Sequence, residues 1–299
     1  MPTINSLPQG TIIHGEHQQY ILERVLGSGS FGITYYAQTS ERDIDGSVIN
    51  YEVAVKEFFM HDTCSRDNTG QLTDISDKSI TAKYKHSFER EARNLSKFRS
   101  SSIVRVREII EQNNTYYIVM EYVAGQTLDN YINSQPDGHL NEQEALRITR
   151  EVAQGLHIMH AANMRHLDMK PVNVMLDEML HPHIIDFGLS RQLDNNGEME
   201  SSTTIGLGTK GYAPIEQLDS DNTAPKATID IYALGGTLFK MLTGKSPIGA
   251  SQLMWGFPTR LFEPLQNAGV SNNVSELVCQ MMQPNDQERI QSIDRKSVV

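Results

Sequence analysis

The chain has 299 residues, 38% of them apolar, with a net charge of −11 and a pI near 5.4. These proportions fit a folded globular protein of one large or two modest domains with a sizeable core, and the acidic excess argues against a broad surface for nucleic acid or anionic lipid. Two cysteines, Cys64 and Cys279, lie far apart without metal spacing. No run is long and apolar enough to span a bilayer, and the start MPTINSLPQGT lacks the charged flank and apolar centre of a signal peptide. The expectation is a protein of the reducing cytoplasm, with any membrane tether outside this chain.

Residues 1–19 are polar and turn-rich and read as an N-terminal extension on the surface. Residues 20–123 carry short runs rich in Val, Ile, Tyr and Phe (YILERVLG, GITYYAQT, YEVAVKEFF, TYYIVMEYV) that predict mostly antiparallel strands. Within them, Phe88, Ala92, Leu95 and Phe98 are spaced as one face of a helix. From 124 to 299 the pattern is mainly helical, most clearly in NEQEALRITREVAQGLHIMHAA, where Asn141 is a candidate cap and Glu142 and Glu144 sit at the positive helix start. Stretches 60–80 and 190–208 are polar, lack apolar period, and read as long loops.

Gly27, Gly29 and Gly32 form G-x-G-x-x-G between two strand-like runs. Glycine lets backbone amides approach phosphate oxygens, although a structural turn explains the pattern equally well, and the β-rich ITYYAQT that follows is not the helix a dinucleotide fold requires. In VAVKEFF, alternation places Ala54 and Lys56 on one face and Val53 and Val55 on the other. A lysine on a buried face needs an anionic partner, and Glu91, beside core-facing Ala92, is the candidate. The stretch MRHLDMKPVNVML groups a carboxylate, a lysine and an amide as Asp168, Lys170 and Asn173, able to handle a hydroxyl proton, a phosphoryl oxygen and a metal. Asp186, in HIIDFG, adds a hard oxygen ligand. His157, His160, His181 and His183 resemble metal spacing superficially, and ordinary packing explains the first two better.

Taken together and in this order, these segments resemble the protein kinase superfamily from Tyr20 to the end, and GTKGYAPIEQ, ATIDIYALGG and QPNDQERI resemble its P+1 and Ala-Pro-Glu region, central helix aspartate and late arginine. The resemblance implies an α+β, bilobal fold, with a β-rich N-lobe over 20–123, a helical C-lobe over 124–299, and ATP bound between the lobes with Mg²⁺. It implies that Asp168 orients and deprotonates the acceptor hydroxyl, Lys170 contacts the γ-phosphoryl group, and Asn173 and Asp186 hold Mg²⁺. Lys56, paired with Glu91, would hold the α- and β-phosphates. Leu26, Gly27, Gly29, Gly32, Thr34, Ala54, Met120, Glu121, Val123 and Met175 would surround the nucleotide, with Met120 as gatekeeper. Lys170-Pro171 and Thr209 resemble the serine/threonine class, so the implied partner is a protein with Ser or Thr acceptors, and the wording of several segments is similar to bacterial members.

Four features depart from the family pattern. Leu167 stands where most kinases have an arginine that pairs with an activation-loop phosphate, so the chain resembles the "non-RD" kinases, and activity is expected not to depend on phosphate at Ser201, Ser202, Thr203 or Thr204, the candidate autophosphorylation sites. Thr34 replaces a valine, Pro214 is displaced by one position while Glu216 remains able to pair with Arg289, and about 35 residues separate Lys56 from Glu91. This last insert could dock a regulator, but it reads better as a tolerated surface loop. The alternative reading of the whole is a pseudokinase, an ATP-binding scaffold without turnover. A small-molecule kinase of related fold is a weaker rival, disfavoured by the P+1-like segment.

Overall fold

The computed structural model describes residues 5–29, 32–42, 45–75, 78–186, 191–192, 208–218 and 224–293, which fall into two compact units. The first takes in the chain to Arg99 and then Val104–Tyr122. Its strands are β1 (Ile12–His14), β2 (Gln19–Gly29), β3 (Gly32–Arg42), β4 (Val48–Phe58), β5 (Cys64–Arg66) and β6 (Leu72–Asp74). Helix α1 (Lys78–Leu95), β7 (Val106–Gln112) and β8 (Thr115–Glu121) complete it. Six of the strands form one antiparallel sheet in the order β1-β2-β3-β4-β8-β7. The sheet curls until its two edges meet: the Gln112 side chain accepts from the His14 amide at 2.8 Å and donates to the Ile12 carbonyl at 3.0 Å.

Strand alternation divides this sheet sharply. Ile33, Tyr35, Val53, Val55, Glu57, Tyr117 and Val119 line a buried face, whereas Thr34, Tyr36, Ala54 and Lys56 are half-buried on the other. The buried carboxylate of Glu57 is matched. It accepts from Arg66 Nη2 at 2.5 Å, Tyr35 Oη at 2.9 Å and Tyr117 Oη at 3.1 Å. Arg66 also donates to the carbonyls of Asn5 and Gly70, and Tyr35 Oη accepts from the Leu7 amide.

This arrangement corrects two sequence expectations. The first part of stretch 60–80 is a β5–β6 hairpin whose Cys64 and Leu72 are buried, and its last residues open α1, which starts ten residues before the predicted helical face at Phe88. Part of the 1–19 extension is core as well: Leu7 and Ile13 are buried, and β1 pairs with β2.

The second unit contains Ser100–Ile103 and the chain from Val123 on. Its elements are β9 (Gly125–Thr127), α2 (Leu128–Ser134), α3 (Glu142–Ala161), β10 (Met164–Arg165), a 3-10 turn (Pro171–Asn173), β11 (Val174–Asp177), β12 (Pro182–Ile184) and β13 (Arg191–Gln192). The helices α4 (Ile215–Leu218), α5 (Ala227–Thr243), α6 (Ala250–Met254), α7 (Thr259–Asn267) and α8 (Asn272–Met281) follow. Ser100–Ile103 joins this unit because the Ser102 carbonyl accepts from Ile184 and Ile103 bridges to the same residue.

Asn141 caps α3 as its position predicts, its side chain accepting from the Glu144 amide at 3.0 Å. The axis of the unit is α5, nearly all of whose side chains are buried, with α3, α7 and α8 packed on it. Among the described residues no helix is long and apolar enough to cross a membrane.

Candidate active site

The second unit brings Asp168, Lys170, Asn173, Asp186 and Thr209 to one place. Asp168 and Lys170 lie in the loop after β10, and the 3-10 turn starting at Pro171 carries Asn173 back beside them. Lys170 Nζ lies 2.8 Å from Asp168 Oδ2 and donates to Thr209 Oγ1 at 2.6 Å, while Thr209 Oγ1 donates to Asp168 Oδ1 at 2.7 Å. The three side chains close a triangle in which each polar atom is fixed by another. Asn173 Nδ2 donates to the Asp168 carbonyl at 2.8 Å and to Oδ2 at 3.2 Å. That orientation turns its amide oxygen away from Asp168.

Asp186 reaches the same region through the β11–β12 hairpin: Val174 pairs with Ile184, and the Ile185 amide donates to the Asn173 carbonyl at 3.1 Å. Asp186 is half-buried, and the residues after it, Phe187 and Gly188, lie outside the described set. Ser201, Ser202, Thr203 and Thr204 lie outside it too.

The loop is held from beneath by a residue that sequence reasoning placed only by resemblance. Asp230, fully buried on α5, accepts from the His166 amide at 2.9 Å, the Leu167 amide at 2.8 Å and His160 Nε2 at 2.7 Å. The His160 ring is therefore a polar tie and not simple packing. Leu167 sits at φ +66°, a left-handed conformation that costs a leucine roughly 1–2 kcal/mol. Its amide is fixed by Asp230 and its carbonyl accepts from Gln217 Nε2 at 2.7 Å, so the strained backbone is pinned on both sides.

Burial pushes the His166 imidazole down, against the pull of Asp230, Asp168 and Asp186, and the neutral ring accepts from the Asp168 amide through Nδ1 at 3.2 Å. Arg165 donates to the carbonyls of His160 and Met164.

Burial alone would raise the Asp230 carboxyl, but the His160 hydrogen bond and charge, with His166 beyond, hold it below the usual range. Its folded value is depressed, so the stability it contributes is present above the ordinary carboxylate pKa of about 4 and is lost as pH falls through the folded value. Asp230→Asn is expected to destabilise the protein at neutral pH and to flatten the acid limb of stability against pH in urea unfolding. An unchanged acid limb would show that other carboxylates carry it.

Further along, Arg289 is buried and pairs with Glu216 at 2.6 Å, also donating to the Thr228 carbonyl. That pair ties the segment after Thr209 to the end of the chain. Gly211, at φ +90°, is required where it stands, since a Cβ there would lie 2.4 Å from the Pro247 carbonyl.

The remaining predicted residues are distributed by unit. In the first, Gly27 lies opposite Thr34, Thr34 opposite Lys56, and Ala54 opposite Met120, all in register across β2, β3, β4 and β8. Leu26 is exposed, Met120 is buried, and Glu121 donates its amide to the Arg105 carbonyl. A Cβ on Gly32 would lie 2.5 Å from the Glu57 carbonyl, so packing demands that glycine, whereas Gly27 and Gly29 have open space beside them. Glu91 is buried on α1 and accepts from Ser87 Oγ at 3.1 Å. In the second unit, Met175 is central in the sheet β12-β11-β9, opposite Thr127 and His183, and Val123 is half-buried at the start of the unit.

Comparison with known proteins accords with this geometry. The family model "Protein kinase domain" matches residues 20–295. Serine/threonine-protein kinase PrkC of Bacillus subtilis is 33% identical over 234 residues, 77% of this chain and 31% of the relative. Serine/threonine-protein kinase PknB of Mycobacterium leprae is 29% identical over 214 residues, 69% of this chain and 34% of the relative. The chain thus spans about a third of the length of these relatives. A solved structure described as "PpkA-294 apo form" superposes with a TM-score of 0.77 at 24% identity, covering 97% of both chains, a likeness of fold.

Proposed function

The chain belongs to the protein kinase domain family, in its serine/threonine class, and on that premise we propose that it transfers the γ-phosphoryl group of ATP to serine or threonine hydroxyls of a protein. The observation that carries this reading is the closed triangle of Asp168, Lys170 and Thr209. Asp168 presents a carboxylate to an acceptor hydroxyl and takes its proton as the new P–O bond forms. Lys170 places a positive charge where negative charge grows on the transferred group. Thr209 locks the two in position, so neither has to reorganise during the transfer.

The Asn173 amide oxygen and the Asp186 carboxylate are hard donors that fit Mg²⁺, which when bound offsets phosphate charge. In the first unit, Lys56, with Glu91 as its partner, would hold the α- and β-phosphates, and the open backbone at Gly27 and Gly29 leaves room for phosphate oxygens. By the family resemblance, Leu26, Gly32, Thr34, Ala54, Met120 and Glu121 of the first unit and Val123 and Met175 of the second would supply the remaining nucleotide contacts, any contact from Glu121 falling to its carbonyl because its amide donates to the Arg105 carbonyl. The setting is the cytoplasm.

We further propose that turnover does not require phosphate on the activation loop. Leu167 has no charge to receive one, and the backbone of the catalytic loop at His166 and Leu167 is already held by Asp230 and Gln217. Purified protein incubated with Mg²⁺ and γ-labelled ATP should label a generic protein substrate on serine and threonine. The quadruple replacement of Ser201, Ser202, Thr203 and Thr204 by alanine should keep most of that turnover. Loss of activity in a quadruple variant that still melts normally would sink the loop reading, and absence of label in the parent protein would favour the scaffold alternative.

A further inference from the structure

Trp255, the sole tryptophan of the chain, is 88% exposed, and its neighbour Met254 is 53% exposed. Single apolar residues on a surface are ordinary, but a tryptophan, a side chain highly buried on average, standing almost free beside a second large apolar one is not. The platform beneath is rigid. Ala250 and Leu253 on α6, and Leu261 and Leu265 on α7, are buried, so the outward residues are held in place by the inward ones. Arg260 lies along Gly256, its side chain within 2.5–2.7 Å of where a Cβ on that glycine would stand, and so borders Trp255.

The charge around the patch runs against the charge of the whole. The chain holds 37 Asp and Glu residues, yet residues 244–262 contain none while carrying Lys245 and Arg260, and residues 208–215 contain none while carrying Lys210; the first carboxylates after them are Glu263, exposed one turn from Arg260 on α7, and Glu216, which is paired with Arg289. These two stretches touch: the Lys210 stem lies 3.3–4.0 Å from the Cβ position of Gly249, and Gly211 abuts Pro247. Thr209, one residue from Lys210, bonds to Asp168. α6 begins directly after Gly249 and covers only about 7 Å, at 1.5 Å per residue, before Trp255.

We propose that Met254, Trp255 and Arg260 form a docking surface for the protein substrate, and that it takes a segment with an apolar side chain flanked by acidic residues. The inference rests on the kinase reading, which supplies the acceptor site at Asp168. Tryptophan and arginine are the side chains that anchor interfaces most often, and the surrounding cations select the sign of the flanks. A second copy of this chain fits less well, because a two-fold contact centred on Trp255 would bring two patches carrying the same cations together.

Because Trp255 is the only tryptophan, its emission reports occupancy directly and without turnover. A tryptophan-free peptide with Leu-Phe set among Glu and Asp should shift that emission to the blue, less so at high salt, and a matched peptide with Lys and Arg flanks should not. In steady-state assays of the full chain, Trp255→Ala should raise KM for dephosphorylated casein, an acidic protein, about tenfold. Its kcat for casein and both constants for myelin basic protein should stay unchanged.

Equal shifts with both peptides, no shift with either, or a loss of kcat on both substrates would overturn the docking surface. So would a dimer in sedimentation that Trp255→Ala dissolves, which would assign the patch to a second copy. An acidic-peptide shift with no phosphate transfer to any substrate would overturn the kinase reading and leave the surface standing.

Discussion

Asp168→Asn is expected to lower kcat on the order of 10³-fold, with nucleotide binding nearly unchanged. Asp168 is the one residue on which Lys170, Thr209 and Asn173 all converge, at 2.7–3.2 Å. Asparagine keeps the shape and one oxygen, but it removes the proton acceptor. Its amide nitrogen must also face Lys170 or Thr209, both of which already donate toward that carboxylate. Charge, base and positioning therefore fail together. Binding of ADP by calorimetry, beside kcat and KM for ATP, checks the assignment. If affinity for nucleotide falls as far as turnover, Asp168 serves the nucleotide and not the acceptor hydroxyl.

Much of this site could be read locally. Asp168, Lys170 and Asn173 fall within six residues, and the turn that folds Asn173 back starts at Pro171, whose fixed φ suits the first position of such a turn. Thr209 comes from 41 residues away and was reachable only through family resemblance. Asp230, His160 and Gln217 had no local signal of their role, because nothing in a helical period says which loop a buried polar residue faces. One clue was present: Asp230 stands inside the apolar run ATIDIYALGG, and a carboxylate buried on such a helix needs partners.

The fold divides in the same way. α3 was legible from its cap and its apolar stripe, whereas the opening turns of α1, KSITAKYK, are polar enough to merge with the preceding loop. The β5–β6 hairpin was hidden because it contributes only Cys64 and Leu72 to the core, too few apolar residues to create a period.

That hairpin is where the second large effect is expected. Arg66→Met should destabilise the first unit by roughly 3–5 kcal/mol and lower its melting temperature by on the order of 10 °C. Glu57 is fully buried and Arg66 nearly so, with side-chain exposures of 0% and 8%. Removing the guanidinium leaves a carboxylate in the core with only two tyrosine hydroxyls, and it also releases the Asn5 carbonyl that ties down the N-terminal strap.

The converse follows from the same physics. In the double variant Glu57→Gln with Arg66→Met the buried charge is gone, and a glutamine can accept from one tyrosine while donating to the other, so much of the loss should be recovered. Thermal unfolding of the parent, both single variants and the double variant gives the coupling directly. If the two single losses simply add, Arg66 and Glu57 act independently and the hairpin is the tolerated loop that its sequence suggested. If the double variant is the more stable one, the insert is a structural part of the sheet, anchored on the residue next to Lys56.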